Sequence, residues 1–154
     1  MNTTRSGALV RATLLATLVA GALDIAAAIL LNLNVGPLIV LQSVAGGWLG
    51  AGAYSGGWPT GLLGLASHFG LMLIIAAVYM TLASRSAPAR RQWILAGVVW
   101  GVVVWAVMAL VVVPLSASTV PAPDTRAVIQ GLIVHILMVG LPMAWIARRG
   151  FGRT

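Results

Sequence analysis

The chain has 154 residues, of which 60% are hydrophobic and only 7% charged, with a mean hydropathy of +1.04. A soluble domain carries about 25% charged residues, so a chain this apolar cannot clothe a water-facing surface and its solvent is largely lipid. It has no cysteine, which excludes disulfides, thiolate metal sites and cysteine nucleophiles. Its net charge of +7 comes from nine arginines at the ends of apolar runs, a placement that suits membrane topology and anionic headgroups and excludes a nucleic-acid interface.

The sequence predicts an all-α, polytopic four-helix bundle forming one integral membrane domain over residues 1–154. The first span is expected over residues 9–32. An Ala26-x-Ala28 pattern resembles a signal-peptidase site, but the apolar run is about twenty residues, longer than the roughly 7–15 of a signal peptide, so it reads as a retained helix. Asn32, Asn34, Gly36 and Pro37 break it. Nine of the eighteen glycines then fall within residues 46–70. Residues 38–55 are apolar, but Gly46, Gly47, Gly50 and Gly52 each weaken a helix by up to about 1 kcal/mol relative to Ala. Charge decides their placement. If residues 38–55 re-enter or lie at the interface, both termini and the Arg85–Arg90–Arg91 loop share the cytoplasmic side. Eight of nine arginines are then inside, as the positive-inside rule prefers. Three further spans follow at residues 58–83, 93–113 and 127–147. Pro59 suits a first helical turn, Pro114 is expected to stop the third span, Asp124 to cap the fourth and Pro142 to kink it.

Helical spacing gives every span a small or polar stripe. The stripes are Thr13, Thr17, Gly21, Asp24 and Ala28; Gly57, Gly61, Gly64, His68, Met72 and Ile75; Gly97, Gly101, Val104 and Met108; and Gly131, His135, Met138 and Pro142. Small-xxx-small faces let helix backbones approach in lipid, and this packing role accounts for Gly21, Gly57, Gly61, Gly64, Gly97, Gly101 and Gly131. Gly64–His68 and Gly131–His135 echo one another at the same spacing.

Asp24, His68 and His135 ask for more. Helix rise places them about 10, 15 and 12 Å below the outer boundary, in one inward layer. An aspartate in hydrocarbon costs about 2.5–3.5 kcal/mol on insertion scales, and a histidine is the obvious partner. The trio is therefore a proton-linked or ligand site, or else a polar clasp that sets helix register. Met72, Met108 and Met138 lie nearby. With the histidines they compose a soft-metal set for Cu(I), or two axial haem ligands, or simply core filler. No resident cofactor or metal is expected. Trp48, Trp58, Trp93 and Trp145 read as interfacial anchors, with Trp100 and Trp105 deeper. No nucleophile–base–orienter set, phosphate loop or carboxylate pair exists, so the chain does not read as an enzyme.

The runs VLQSVAGGWLGAGAYSGGWPTGLLGLASHF (40–69), GVVVWAVMALVVVPLS (101–116) and GLIVHILMVGLP (131–142) resemble a family of small uncharacterised bacterial four-helix inner-membrane proteins. The resemblance covers most of the chain. It rests most specifically on Leu41-Gln42-Ser43, the Gly-Gly pair before the second span, His68, Met108 with Pro114, and His135. It implies the bacterial cytoplasmic membrane and four spans, and no substrate. The residues leave three classes of function open: small-solute or proton-linked transport, in an oligomer or alone; an accessory subunit whose glycine faces dock a membrane partner; and a haem or copper carrier.

Overall fold

The computed structural model describes residues 3–151, with side chains from residue 6 onward. It is all helical: α1 (Thr3–Leu31), α2 (Pro37–Leu49), α3 (Gly57–Arg85), a short α4 (Ala87–Arg91), α5 (Trp93–Leu115) and α6 (Thr125–Phe151), with no strand among the described residues. Four of them, α1, α3, α5 and α6, are long and apolar enough to cross a membrane. Each matches an expected span. All four overrun it at one end or both, α1 and α6 by several residues and α3 and α5 by one or two, because backbone hydrogen bonding carries a helix past the hydrocarbon that the hydropathy detects.

α1 runs opposite to α3 and α6 and packs on both. Its Gly21 lies against Phe69 of α3, and its Ala12 against Gly150 of α6. α5 rests mainly on α6, where their backbones nearly touch. A Cβ at Gly97 would meet the Gly140 carbonyl at 3.0 Å, and one at Gly101 would meet the Ile136 Cα at 2.5 Å. Only glycine permits this approach. The main core joins Ala12, Ala16 and Ala20 of α1 to Met72, Ala76, Tyr79 and Met80 of α3 and to Val139, Met143, Ile146 and Phe151 of α6. A second, smaller cluster of Ile25, Val40 and Leu41 lies at the other end, under α2.

The segment 38–55 is more helical than its glycines suggest. α2 runs unbroken through Gly46 and Gly47 and stops at Gly50, whose φ of 57° only glycine holds without strain. At 13 residues, or about 20 Å, it is too short to cross a bilayer. Its contacts with α3 climb together: Leu38 on Gly61, Leu41 on Gly64, Trp48 bonded to Ser67. α2 therefore runs in the same sense as α3, inward from the end of α1. A 3-10 turn over Gly50–Ser55 brings the chain back to the start of α3. There Thr60 Oγ1 donates to the Ala53 carbonyl at 2.7 Å. The next helix can thus start on the side where α1 ended.

Prolines reshape both later helices. Pro114 does not stop α5, which continues to Leu115; instead the five residues Met108–Val112 wind as a π turn. Pro142 is likewise preceded by a π turn, over His135–Gly140. A proline lacks an N–H and crowds the carbonyl four residues back, here Leu110 and Met138, and widening the turn over that carbonyl relieves the crowding. The π turn in α6 also shifts the phase of everything after it. The buried face is Val139, Gly140, Met143, Ala144 and Ala147, while Gly131, His135, Met138 and Pro142 form a half-buried flank. A strict 3.6-residue repeat cannot anticipate that rotation. As expected, Asp124 caps α6, its Oδ1 accepting from Ala127 N at 2.8 Å.

Candidate functional site

Of the polar candidates, His68 lies where the two apolar clusters meet. His68 is buried on α3, and its Nε2 lies 2.9 Å from the Gly21 carbonyl of α1. A carbonyl only accepts, so Nε2 carries the proton and Nδ1 the lone pair. Phe69 covers Gly21, and a Cβ there would come within 2.7 Å of its ring, so glycine is what lets α1 approach the histidine. Met72 packs in the main core on the same side of Gly21.

Asp24 stands one turn beyond Gly21 on α1, half-buried at the margin of the packed face, which consists of Ala12, Thr13, Ala16, Thr17, Ala20, Gly21 and Ile25. It makes no hydrogen bond or ion pair with any described residue. The structure thus gives His68 a backbone partner and leaves the carboxyl beside it without one. From the Ala12–Gly150 contact and the antiparallel course of α1 and α6, Asp24 falls level with Met138, about a turn from His135.

His135 is half-buried at the first residue of the π turn in α6, and its Nδ1 lies 2.8 Å from the Gly131 carbonyl of its own helix. By the same argument Nδ1 donates, and Nε2 is free to accept. The two Gly-x-x-x-His echoes therefore work differently, His68 tying two helices together and His135 turning back on its own. No group of three His, Asp or Glu side chains gathers among the described residues. A metal or haem shared by both histidines would have to take Nδ1 of one and Nε2 of the other. Met108 packs on the core at the start of the α5 π turn, and Met138 is half-buried in the α6 one.

The glycines named from spacing sit at close approaches within this one chain: Gly61 and Gly64 under α2, Gly97 and Gly101 on α6, Gly131 beneath the Trp105 indole. Gly57 is held by its φ of 58° at the entry to α3. Gly140, which the spacing missed, is the tightest partner of the α5 pair.

One polar residue, noted in the sequence only as part of the resemblance, has a structural role that the spacing did not give. Gln42 is 1% exposed. Its Nε2 donates to the Gly57 carbonyl at 3.0 Å and to Thr60 Oγ1 at 3.1 Å, pinning α2 to the first turn of α3. Its Oε1 is buried with no partner. The signal was present: Gln42 is the one amide in the apolar run PLIVLQSVAGGWL. At the opposite end Arg90 Nη1 donates to the Ala83 and Ser84 carbonyls and closes α3, while Arg148 and Arg149 stack over Trp93 and Trp145 at 5.7 and 4.7 Å. Trp100 is drawn inward against Tyr79, with ring centroids 5.2 Å apart.

Fold and site together define a multi-pass helical membrane protein in which a buried histidine ties α1 to α3. Comparison with models of known protein families finds no match, and neither curated proteins nor solved structures yield a similar chain.

Proposed function

We propose that the protein resides in a bacterial cytoplasmic membrane with both termini inside and moves protons, or a small solute together with a proton, through the layer of Asp24. The observation that carries this reading is the carboxyl of Asp24, which stands without a partner while its neighbour His68 is occupied by the Gly21 carbonyl. An unpaired acid at such depth is expensive, and chains that keep one use it for transfer. The other ionisable groups on helices packed against α1 at this level are His68 and His135, and α2 carries no charge at all. His135 Nε2, open and set by its Nδ1 bond, is the natural second stop for the proton. Neither the enzyme class nor a resident cofactor enters this reading.

The test is an imposed pH gradient across vesicles containing the purified protein and an internal pH dye. Wild-type protein is expected to collapse the gradient at least about tenfold faster than Asp24→Asn, which keeps shape and volume but cannot carry a proton. Equal rates would sink the proposal. Topology has its own test. A reporter fused after Arg91 is expected to read cytoplasmic, because α2 turns back; a periplasmic reading would mean that residues 38–55 cross.

A second reading is favoured by one observation. The His68–Gly21 bond joins α1 to α3 between the two apolar clusters, as a register clasp does. On that reading Asp24→Asn is silent and His68→Ala loosens the bundle. The accessory-subunit reading draws less support, since the glycine faces it needs for a partner are filled by the chain's own helices.

A further inference from the structure

The arginine-bearing ends of α1 and α6 enclose an open groove of about 510 Å³. Arg11 and Arg149 stand on its walls, and Ala12, Leu15, Trp145 and Ile146 line it. This is within the size range of small-molecule sites, about 300–1,000 Å³. Of the other described basic residues at this end, none lines the groove. Arg90 is spent closing α3, and Arg148 turns to Trp93. Arg11 makes no hydrogen bond or ion pair with any described residue, and Arg149 is steadied by the Trp145 ring. Neither aspartate side chain lies near enough to neutralise them. Asp24 is thirteen residues further along α1, about 20 Å away, and Asp124 caps α6 at its other end.

We propose that this groove binds one anionic phospholipid. Its phosphate is held between Arg11 and Arg149, and its glycerol and first acyl carbons lie along Leu15, Ala12 and Ile146. The argument is complementarity at two depths. Guanidinium groups pair with phosphate oxygens in a fixed fork, and here they sit at the end of the spans, where headgroups lie. The wall behind them, toward the bilayer centre, is purely apolar. Trp145 supplies the amphipathic rim between the two. Gly150 also lines the groove, beside Ala12. The inference does not depend on any role for Asp24.

The experiment is native mass spectrometry of the full chain in mild detergent, titrated with phosphatidylglycerol or with phosphatidylcholine. Wild-type protein is expected to retain one phosphatidylglycerol per chain and to prefer it at least about tenfold over phosphatidylcholine. The double variant Arg11→Gln, Arg149→Gln is expected to lose that preference. The control Arg85→Gln, Arg91→Gln removes the same charge elsewhere on the same side and is expected to keep it. Leu15→Trp, which fills the groove and changes no charge, is expected to weaken binding several-fold. All these positions lie at the surface, and melting curves check that the variants fold. Equal loss in the control pair would reduce the effect to general charge attraction and overturn the site. So would full binding by Leu15→Trp, or displacement of the lipid by millimolar inorganic phosphate, which would make it a free-anion site.

Discussion

Gly140→Leu is expected to part α5 from α6 and cost about 3 kcal/mol or more. A Cβ at this position would overlap the Gly97 carbonyl and come within 2.7 Å of Gly101 N. Both obstacles are backbone, so no rotamer change can make room and the helix axes must separate. In lipid the loss is not repaid by water, because packing and close backbone approach are what hold such helices together. Unfolding in mixed micelles, followed by tryptophan fluorescence, measures the effect directly, since Trp105 lies across the same helix pair on Gly131. Gly46→Ala is the control. Nothing lies within 4 Å of a Cβ there, so the change stays within about 0.5 kcal/mol or stabilises α2 slightly. A Gly140→Leu protein as stable as wild type would mean that α5 and α6 do not close at these glycines.

Gln42→Ala is the second large effect. The side chain is wholly buried, so its removal leaves a cavity and also frees the Gly57 carbonyl from one donor. Together these cost about 2–3 kcal/mol. The damage is local. α2 is too short to hold itself in place, and beyond Gln42 it is held by the contacts of Leu38 and Leu41 with Gly61 and Gly64, the Trp48–Ser67 bond and the Ala117 N–H donating to the Gly47 carbonyl. The exposed turn Gly50–Ser55 is expected to become the first point of protease cleavage, while α3, α5 and α6 stay intact. Gln42→Leu separates volume from hydrogen bonding. It restores the bulk and also removes the unpartnered Oε1, so it costs less than about 1 kcal/mol. If both variants resist protease as wild type does, Gln42 is not what holds α2.

Hydropathy located the four spans, because twenty apolar residues in a row have few other uses, and the arginines decided against a fifth at residues 38–55. The glycine faces on α3 and α5 were also legible, since nothing interrupts the 3.6-residue repeat there: Gly61, Gly64 and His68 face inward, as do Gly97, Gly101 and Val104. What escaped the sequence depends on phase or on distant contact. The π turn before Pro142 rotates the end of α6, so the working glycine is Gly140 and the named stripe is its flank. The Asp24–His68 pairing that composition suggests gives way to a backbone carbonyl, because Gly21 brings its oxygen closer to the imidazole than the next turn brings the carboxyl. Gln42 was visible as an anomaly, but its partners lie fifteen and eighteen residues on, beyond a turn that no periodicity describes. Of the arginines, read only for the side they choose, the structure turns Arg90 to a helix closure and Arg148 and Arg149 to ring stacks, and leaves Arg11 open on the groove.

The contact between Ala12 and Gly150 joins the two ends of the chain. Helices leave the ribosome in order, so α2 can settle on α3, and α5 on α6, through neighbours close in sequence. The meeting of α1 with α6 must wait until α6 itself has been made. The site between them is therefore the last to come into being, and a chain halted before α6 lacks it entirely. A lipid held there would act as a seal on that late meeting, marking chains whose α1 and α6 have closed apart from those still open within the same bilayer.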